Sequence, residues 1–417
     1  MISRSRWIVR NIVRQLWFRA TVISLLAIAS ALIAFVVAPY LPRDLSATIG
    51  AEAVDNILSI IASSMLAVTT FSLSTMVQAY GAATSNVTPR ATKLMIEDST
   101  SQNVLAAFVG SFLYSLVAII TLSMGAYGER GRVVLFVVTI LVVLLIVVTL
   151  LRWIDYLRRL GRVGETTEQV ENAASEAMRE RHRRPWLGGR PALATEPPAG
   201  RIVRPPEIGY VQHVAIRSIE DLADEAGVEV HVLALPGTFV HPARPLAIVT
   251  GGDDELADAI AAAFTIGRER SFDQDPRFGL SVLAEIASRA LSPAMNDPGT
   301  AIDVVGRAVR VLSIWGEERE AVETGCRRVY VPEVTADELF DDIFTPIARD
   351  GAGLVEVQVR LQKALAALSS LEIPGYEAAA QRHSALALKR AGAAIALEED
   401  MNAVRSAAIA LHGDTLS

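Results

Sequence analysis

The sequence is poor in the residues that build most enzyme active sites. Its 417 residues include one cysteine, Cys326, and six histidines. A single thiol excludes an internal disulfide and any multi-cysteine metal centre. Aromatic residues are only 6% and charged residues 20% of the chain. Its composition argues against disorder, collagen-like repeats and a nucleic-acid-binding class. The sequence also has no His-Glu-x-x-His, no Gly-x-x-x-x-Gly-Lys-Ser/Thr, no Gly-x-Gly-x-x-Gly and no Gly-x-Ser-x-Gly. The expectation is a protein that is not an enzyme and has neither cofactor nor metal.

What is present divides the chain in two. The mean hydropathy is +0.35, although one fifth of the residues are charged. Residues 1–162 hold 14 Lys/Arg and 7 Asp/Glu, a net +7, whereas residues 163–417 hold 25 and 39, a net −14. This asymmetry predicts a membrane module followed by a soluble one. Four apolar runs, Trp17–Ala38, Asn56–Tyr80, Val104–Ala126 and Val133–Trp153, each have the roughly 20 residues that cross a bilayer core as helix. The first is too long for a signal peptide. Arg4, Arg6, Arg10, Arg14 and Arg19 mark its start, Arg90 and Lys93 follow the second run, and Arg152, Arg158, Arg159 and Arg162 follow the fourth. Positive charge on alternate connections places both termini in the cytoplasm. The turn Tyr127–Arg132, with Arg130 and Arg132, is the exception to that alternation.

The second run is unlike the others. At about 100° per residue, Asn56, Ser59, Ser63, Ala67, Thr70, Ser74 and Gln78 fall within an arc of roughly 100°. Two accounts of this stripe stand. Hydroxyls can bond back to their own helix and hold neighbouring helices together, or the stripe can line a water-filled path at the axis of an oligomer. No ionisable residue lies inside the second or third run, which argues against a proton relay. Beyond the stripe, Thr88 and Pro89 predict the start of a short helix. On it, Arg90 and Lys93 can anchor to the lipid surface or ring the inner mouth of a pore.

Residues 163–206 read as a helical stalk (Glu165–Arg184) and then an extended linker, because Pro185–Pro206 holds six of the 18 prolines. Residues 207–252 form a small β-rich unit. The strands expected there are Gly209–Ile216, Val228–Ala234 and the stretch after Pro236-Gly237. Its Gly-x-Phe-Val and Pro-Leu-Ala-Ile-Val pieces resemble a half-barrel of the biotinyl or lipoyl type. With no lysine in 208–250 it is not a swinging arm. His213, His231 and His241 fall in this unit, and isolated strand histidines read as structural residues. Residues 253–417 carry a helical bundle periodicity and one further short strand, Arg328–Val331. The predicted class is thus an α-helical integral membrane domain of four spans (1–162), followed by a soluble α+β domain.

Two polar segments of the soluble part stand out. One is Ile266–Pro276, with Arg268, Arg270 and Asp273; the other is Arg289–Ala301, with Asn296 and Asp297. In the second, Asp297 and Pro298 read as the cap and first residue of a helix. The functional alternative joins Arg268, Arg270, Asp273, Asn296 and Asp297 into a ligand pocket. The run Arg-Ala-Leu-Ser-Pro-Ala-Met-Asn-Asp-Pro-Gly-Thr-Ala closely resembles the hallmark of a bacterial family of predicted membrane proteins, domain of unknown function 2254. Gly267-Arg268-Glu269-Arg270 with Asp275 and Phe278-Gly279, and Thr88-Pro89-Arg90, are similar to it too. Thr88 and Gly299 depart from the family pattern, which has Ser and Phe there. The resemblance implies a multi-pass protein of the bacterial inner membrane and no established activity.

From the residues, the expected function is a homo-oligomeric ion channel or channel-like pore. Asn56, Ser59, Ser63, Thr70, Ser74 and Gln78 of the second span line it, and the cytoplasmic domain regulates it. The alternative is a membrane-anchored ligand sensor or protein scaffold without transport. The partners expected are the lipid bilayer, further copies of the chain, and ions or a small cytoplasmic ligand, with no nucleic acid.

Overall fold

The computed structural model describes residues 15–37, 51–96, 98–125, 129–192, 198–318 and 325–412. Arg4, Arg6, Arg10, Arg14, Trp7 and the connection bearing Arg43 lie outside the described residues, as does part of the Tyr127–Arg132 turn. Two compact units are seen. Of the described residues, one comprises those from 15 to 85 together with 92–165, and the other comprises 86–91 together with those from 166 onward.

The first unit is helical: α1 (Leu16–Val37), α2 (Ala51–Asn86), α3 (Pro89–Ile96), α4 (Ser99–Ser123) and α5 (Glu129–Arg159), with the start of α3 assigned to the second unit. Ala53–Thr84, Ser99–Ser123 and Gly131–Arg159 are long and apolar enough to cross a bilayer, and Trp17–Ser30 of α1 is a shorter apolar stretch. The N-terminal part therefore has three to four apolar helices. Thr88 caps α3 as its sequence predicts, accepting from the Ala91 N–H at 3.2 Å. Asp98 caps α4 by accepting from the N–H groups of Thr100 and Ser101. Small residues let α4 sit at the centre of the unit: a Cβ on Gly110 would overlap Ile23 of α1, the close approach such residues permit in membranes. Buried Tyr114 ties α4 to α5 through the Thr139 hydroxyl at 2.9 Å. By contrast, Val137, Leu141, Leu144 and Val148 of α5 point outward, as a lipid-facing surface requires.

The second unit opens with α6 (Val163–Arg183), which the sequence suggested was a polar stalk. It is instead docked. Thr166, Val170, Ala174, Ala177, Met178 and Arg181 recur at helical spacing and are buried. The following segment, expected to be an extended linker, supplies two strands, β1 (Arg190–Pro191) and β2 (Arg201–Val203). Pro191 is tolerated because β1 lies at the sheet edge. The other β-strands are β3 (Gly209–Val214), β4 (Val230–Val232), β5 (Phe239–Val240), β6 (Ala247–Val249), β7 (Phe264–Gly267) and β8 (Val329–Val331).

They pair as a five-stranded sheet, β1-β8-β4-β6-β2, and a three-stranded antiparallel sheet, β5-β3-β7. In the larger sheet β8 runs parallel to β1 and β4, and the other pairs are antiparallel. Alternate valines of β4, β6 and β8 enter a common core with Ile219 and Ala223 of α7 (Ile216–Ala226). Buried Glu220 of α7 accepts from the N–H groups of Arg328 and Val329, each at 3.1 Å. That carboxylate fixes the entry into β8. Since β2, β7 and β8 come from outside 207–252, that stretch does not complete either sheet alone. The remaining helices are α8 (Asp254–Ala262), α9 (Pro276–Ala290), α10 (Pro298–Ser313), α11 (Ala336–Asp350), α12 (Val355–Ser369), α13 (Tyr376–Ala394) and α14 (Glu398–His412). Cys326 is buried, and loss of solvent beside Glu220 pushes its thiol up to about 11. It is an unreactive thiol at neutral pH.

Candidate functional site

Two places are built from residues that the sequence singles out, and a third from residues that it does not. The first is the stripe on α2. Asn56, Ser59, Ser63, Thr70, Ser74 and Gln78 are all exposed on the surface of the first unit. The opposite face, Val54, Leu58, Ile61, Met65 and Met76, is buried against α4 and α5. From Asn56 to Gln78 the exposed side of α2 thus carries the amides and hydroxyls of the stripe, while buried Ser72 is the polar exception on the other side. The Ser63 hydroxyl donates to the Ser59 carbonyl at 2.9 Å and that of Thr70 to the Leu66 carbonyl at 2.9 Å. Gln78 Nε2 donates to Ser74 Oγ at 3.4 Å. Ile60, Leu66 and Phe71 flank the stripe and are exposed too. A surface with an apolar border and a polar seam fits contact with another helix better than contact with lipid alone.

The second place is the junction of α6, α9 and the smaller sheet. Asp275 is 1% exposed and caps α9, accepting from the Phe278 N–H at 3.1 Å. Arg270 grips it with two bonds, Nε at 2.8 Å and Nη2 at 3.0 Å, and stacks its guanidinium over the Phe278 ring. Arg181 of α6 is also buried and donates through Nη2 to the Gln274 carbonyl at 2.8 Å. Among the described residues its Nε and Nη1 have no hydrogen-bond partner. Burial lowers the Arg181 pKa to about 10, while the charges of Asp275 and Glu338 act against that shift. A Cβ on Gly279 would overlap Ala174 of α6, so the glycine permits the two helices to touch. Glu171 of α6 is held by Arg307 and Arg310 of α10. These groups fasten α6 to the helical core.

The expected pocket of Arg268, Arg270, Asp273, Asn296 and Asp297 is divided. Arg270 and Asp273 lie before the start of α9, and Asn296 and Asp297 lie beyond its end. That 15-residue helix is about 22 Å long, too long for one small ligand to touch both groups. Arg268 is exposed, and Asp273 accepts from the Ser271 hydroxyl at 3.1 Å. Asn296 sits at φ 47°, a left-handed conformation that asparagine tolerates. Asp297 accepts from the Thr300 N–H at 3.1 Å and the Thr300 hydroxyl at 2.6 Å. These two bonds hold its carboxyl below the usual range. The capping account of that turn thus describes the geometry.

A third place was missed in the sequence: a cavity of about 470 Å³ between α9 and α11, lined by Ser281, Glu285, Ser288, Asp341, Asp342 and Arg349 among others. Its acids are paired. Arg90, in the same unit, meets Glu285 at 2.9 Å, Arg277 meets Asp342 at 2.6 Å and Arg382 meets Asp341 at 3.0 Å. Lys93 is exposed on α3, whereas its neighbour Met95 is buried in the protein and not free to rest on lipid. The only sequence signal for this cavity was the helical spacing of Ser281, Glu285 and Ser288. Among the described residues no group of three His, Cys, Asp or Glu side chains is placed to hold a metal. His213 is buried, and His231 stacks on Tyr330.

Uncharacterized proteins of Mycobacterium bovis and Mycobacterium tuberculosis are each 35% identical to the chain over 127 residues, covering 28% of this chain and 24% of theirs. The chain thus matches about a quarter of the length of these relatives. No solved structure matches it. The profile of one family, described as "Predicted membrane protein (DUF2254)", matches residues 13–367, and the chain belongs to that family.

Proposed function

We propose that the protein is a homo-oligomeric, channel-like pore of the bacterial inner membrane, with four helices across the bilayer and both termini in the cytoplasm. In this reading α2 lines the axis and the second unit regulates it. The observation that supports it is the outward position of the whole stripe from Asn56 to Gln78 while the other face of α2 is buried. Side-chain amides and hydroxyls facing hydrocarbon are unfavourable, and assembly of several copies around α2 would remove them from lipid. The test is single-channel recording from purified protein in planar bilayers, with Thr70→Arg placed mid-stripe. The reading expects unitary conductance in the wild type and a changed or abolished conductance in the variant. Electrically silent bilayers from a verified oligomer would remove the pore.

One observation favours a second reading. The donors of Ser63 and Thr70 are already used by the backbone of α2, so the stripe can also act as a packing seam without a lumen. The protein is then a membrane-anchored sensor or scaffold, and the polar cavity between α9 and α11 is where a small ligand would act.

A further inference from the structure

A cavity of about 540 Å³ lies in the first unit among α1, α4 and α5, within the roughly 300–1,000 Å³ of small-molecule sites. Its two ends differ chemically. Thr100, Asn103, Thr149 and Arg152 line one end, where α4 begins and α5 finishes. Arg19, near the start of α1, donates there to Asn103 Oδ1 at 2.9 Å and to the Ser99 carbonyl at 3.3 Å. Arg152 makes no hydrogen bond or ion pair among the described residues. Asp98, at the same end of α4, is committed to capping that helix. From there the wall turns apolar, through Leu26, Ala27, Ala107 and Leu145. Thr100 to Tyr114, both on the lining, span about 21 Å of α4, somewhat more than half of a roughly 30 Å hydrocarbon core.

We propose that this groove binds an anionic phospholipid, with its phosphate at Arg152 and one acyl chain lying along α4 between α1 and α5. Charge complementarity selects this occupant. The free cation sits at the depth where headgroups begin and the apolar wall runs inward from it, and basic pockets between membrane helices hold acidic headgroups. Ala107 keeps the floor of the groove low on α4, where a larger side chain would fill it. The site does not depend on α2 lining a pore.

The test uses the full-length protein in detergent, incubated with phosphatidylglycerol or phosphatidylcholine of identical chains, with retained lipid counted by native mass spectrometry. The wild type is expected to retain phosphatidylglycerol roughly fivefold better, the preference that one arginine at a membrane surface gives. Arg152→Gln, an exposed position whose change leaves packing intact, should abolish that preference. Arg158→Gln, outside the groove, should keep it. Ala107→Phe should lower retention of both lipids by filling the groove. Equal retention of the two lipids by the wild type, or an undiminished preference in Arg152→Gln, overturns the proposal.

Discussion

Replacing Asp275 by asparagine tests what the charged cluster at the base of α9 does. The carboxylate is 1% exposed and carries two bonds from Arg270 and one from the Phe278 N–H. Asparagine has nearly the same volume and caps helices as well as aspartate, so the cap survives and the charge alone is removed. Arg270 then loses its counter-charge, and Arg181, which is 2% exposed, loses one of its two nearby acids and keeps Glu338. Removing one partner of a buried pair costs about 3–5 kcal/mol. Each kcal/mol lowers Tm by roughly 2–4 °C in a unit of 150–250 residues, so a fall of about 6–20 °C is expected. Calorimetry of the full-length protein in detergent reads it as a shift of the second unit's transition, and Arg270→Met in the same background should recover part of the loss. A shift of under about 2 °C would refute the view that this cluster holds α6 in place, since it would mean the arginines reach water or other acceptors without Asp275.

Three further perturbations follow. His383 is buried against Phe340 and Phe344, 3.1 Å from Asp341 with Arg382 and Asp337 nearby, and burial pushes its pKa down to about 4. Because the unfolded histidine titrates near 6.5, the unfolded chain binds the extra proton. Stability should therefore fall as pH drops from about 6.5 to about 4, by roughly 2–3 kcal/mol; His383→Gln should flatten that part of a Tm-against-pH curve. Asp297→Ala should cost about 1 kcal/mol through loss of the α10 cap, visible as a small fall in chemical unfolding midpoint. Gly279→Val should destabilise by about 1–3 kcal/mol, because α9 must move away from Ala174, and hydrogen exchange should rise along α6.

The membrane helices were legible because an apolar run of sufficient length states its own environment without reference to any partner. Angular arithmetic alone puts Asn56 to Gln78 on one side of α2; that this side is exposed while Leu58, Ile61 and Met65 are buried comes from the structure. The α6 helix was misread for a physical reason: its buried face includes Thr166, Thr167, Arg181 and His182. Such a face looks solvated until Gly279, Arg307 and Arg310, more than a hundred residues away, are seen to receive it. The strands β1, β2 and β7 have two, three and four residues, too short for any period to show. Their pairing with distant strands makes them strands. The same distance problem concealed the polar cavity, which exists only where α9 meets α11. Asn296 and Asp297 looked like a site because a tight turn and a binding loop use the same residue types.

The central claim, that the α2 stripe faces other copies of the chain, is tested most directly by intermolecular disulfide trapping in native membranes. Cys326 is the single cysteine and is buried, so Cys326→Ser gives a clean background. Cysteines introduced one at a time at Ser63, Thr70 and Ser74 should yield crosslinked dimers on mild oxidation, and cysteines at Leu141 and Leu144 on the outward face of α5 should not. Crosslinking at the α5 positions with none along the stripe would contradict the account.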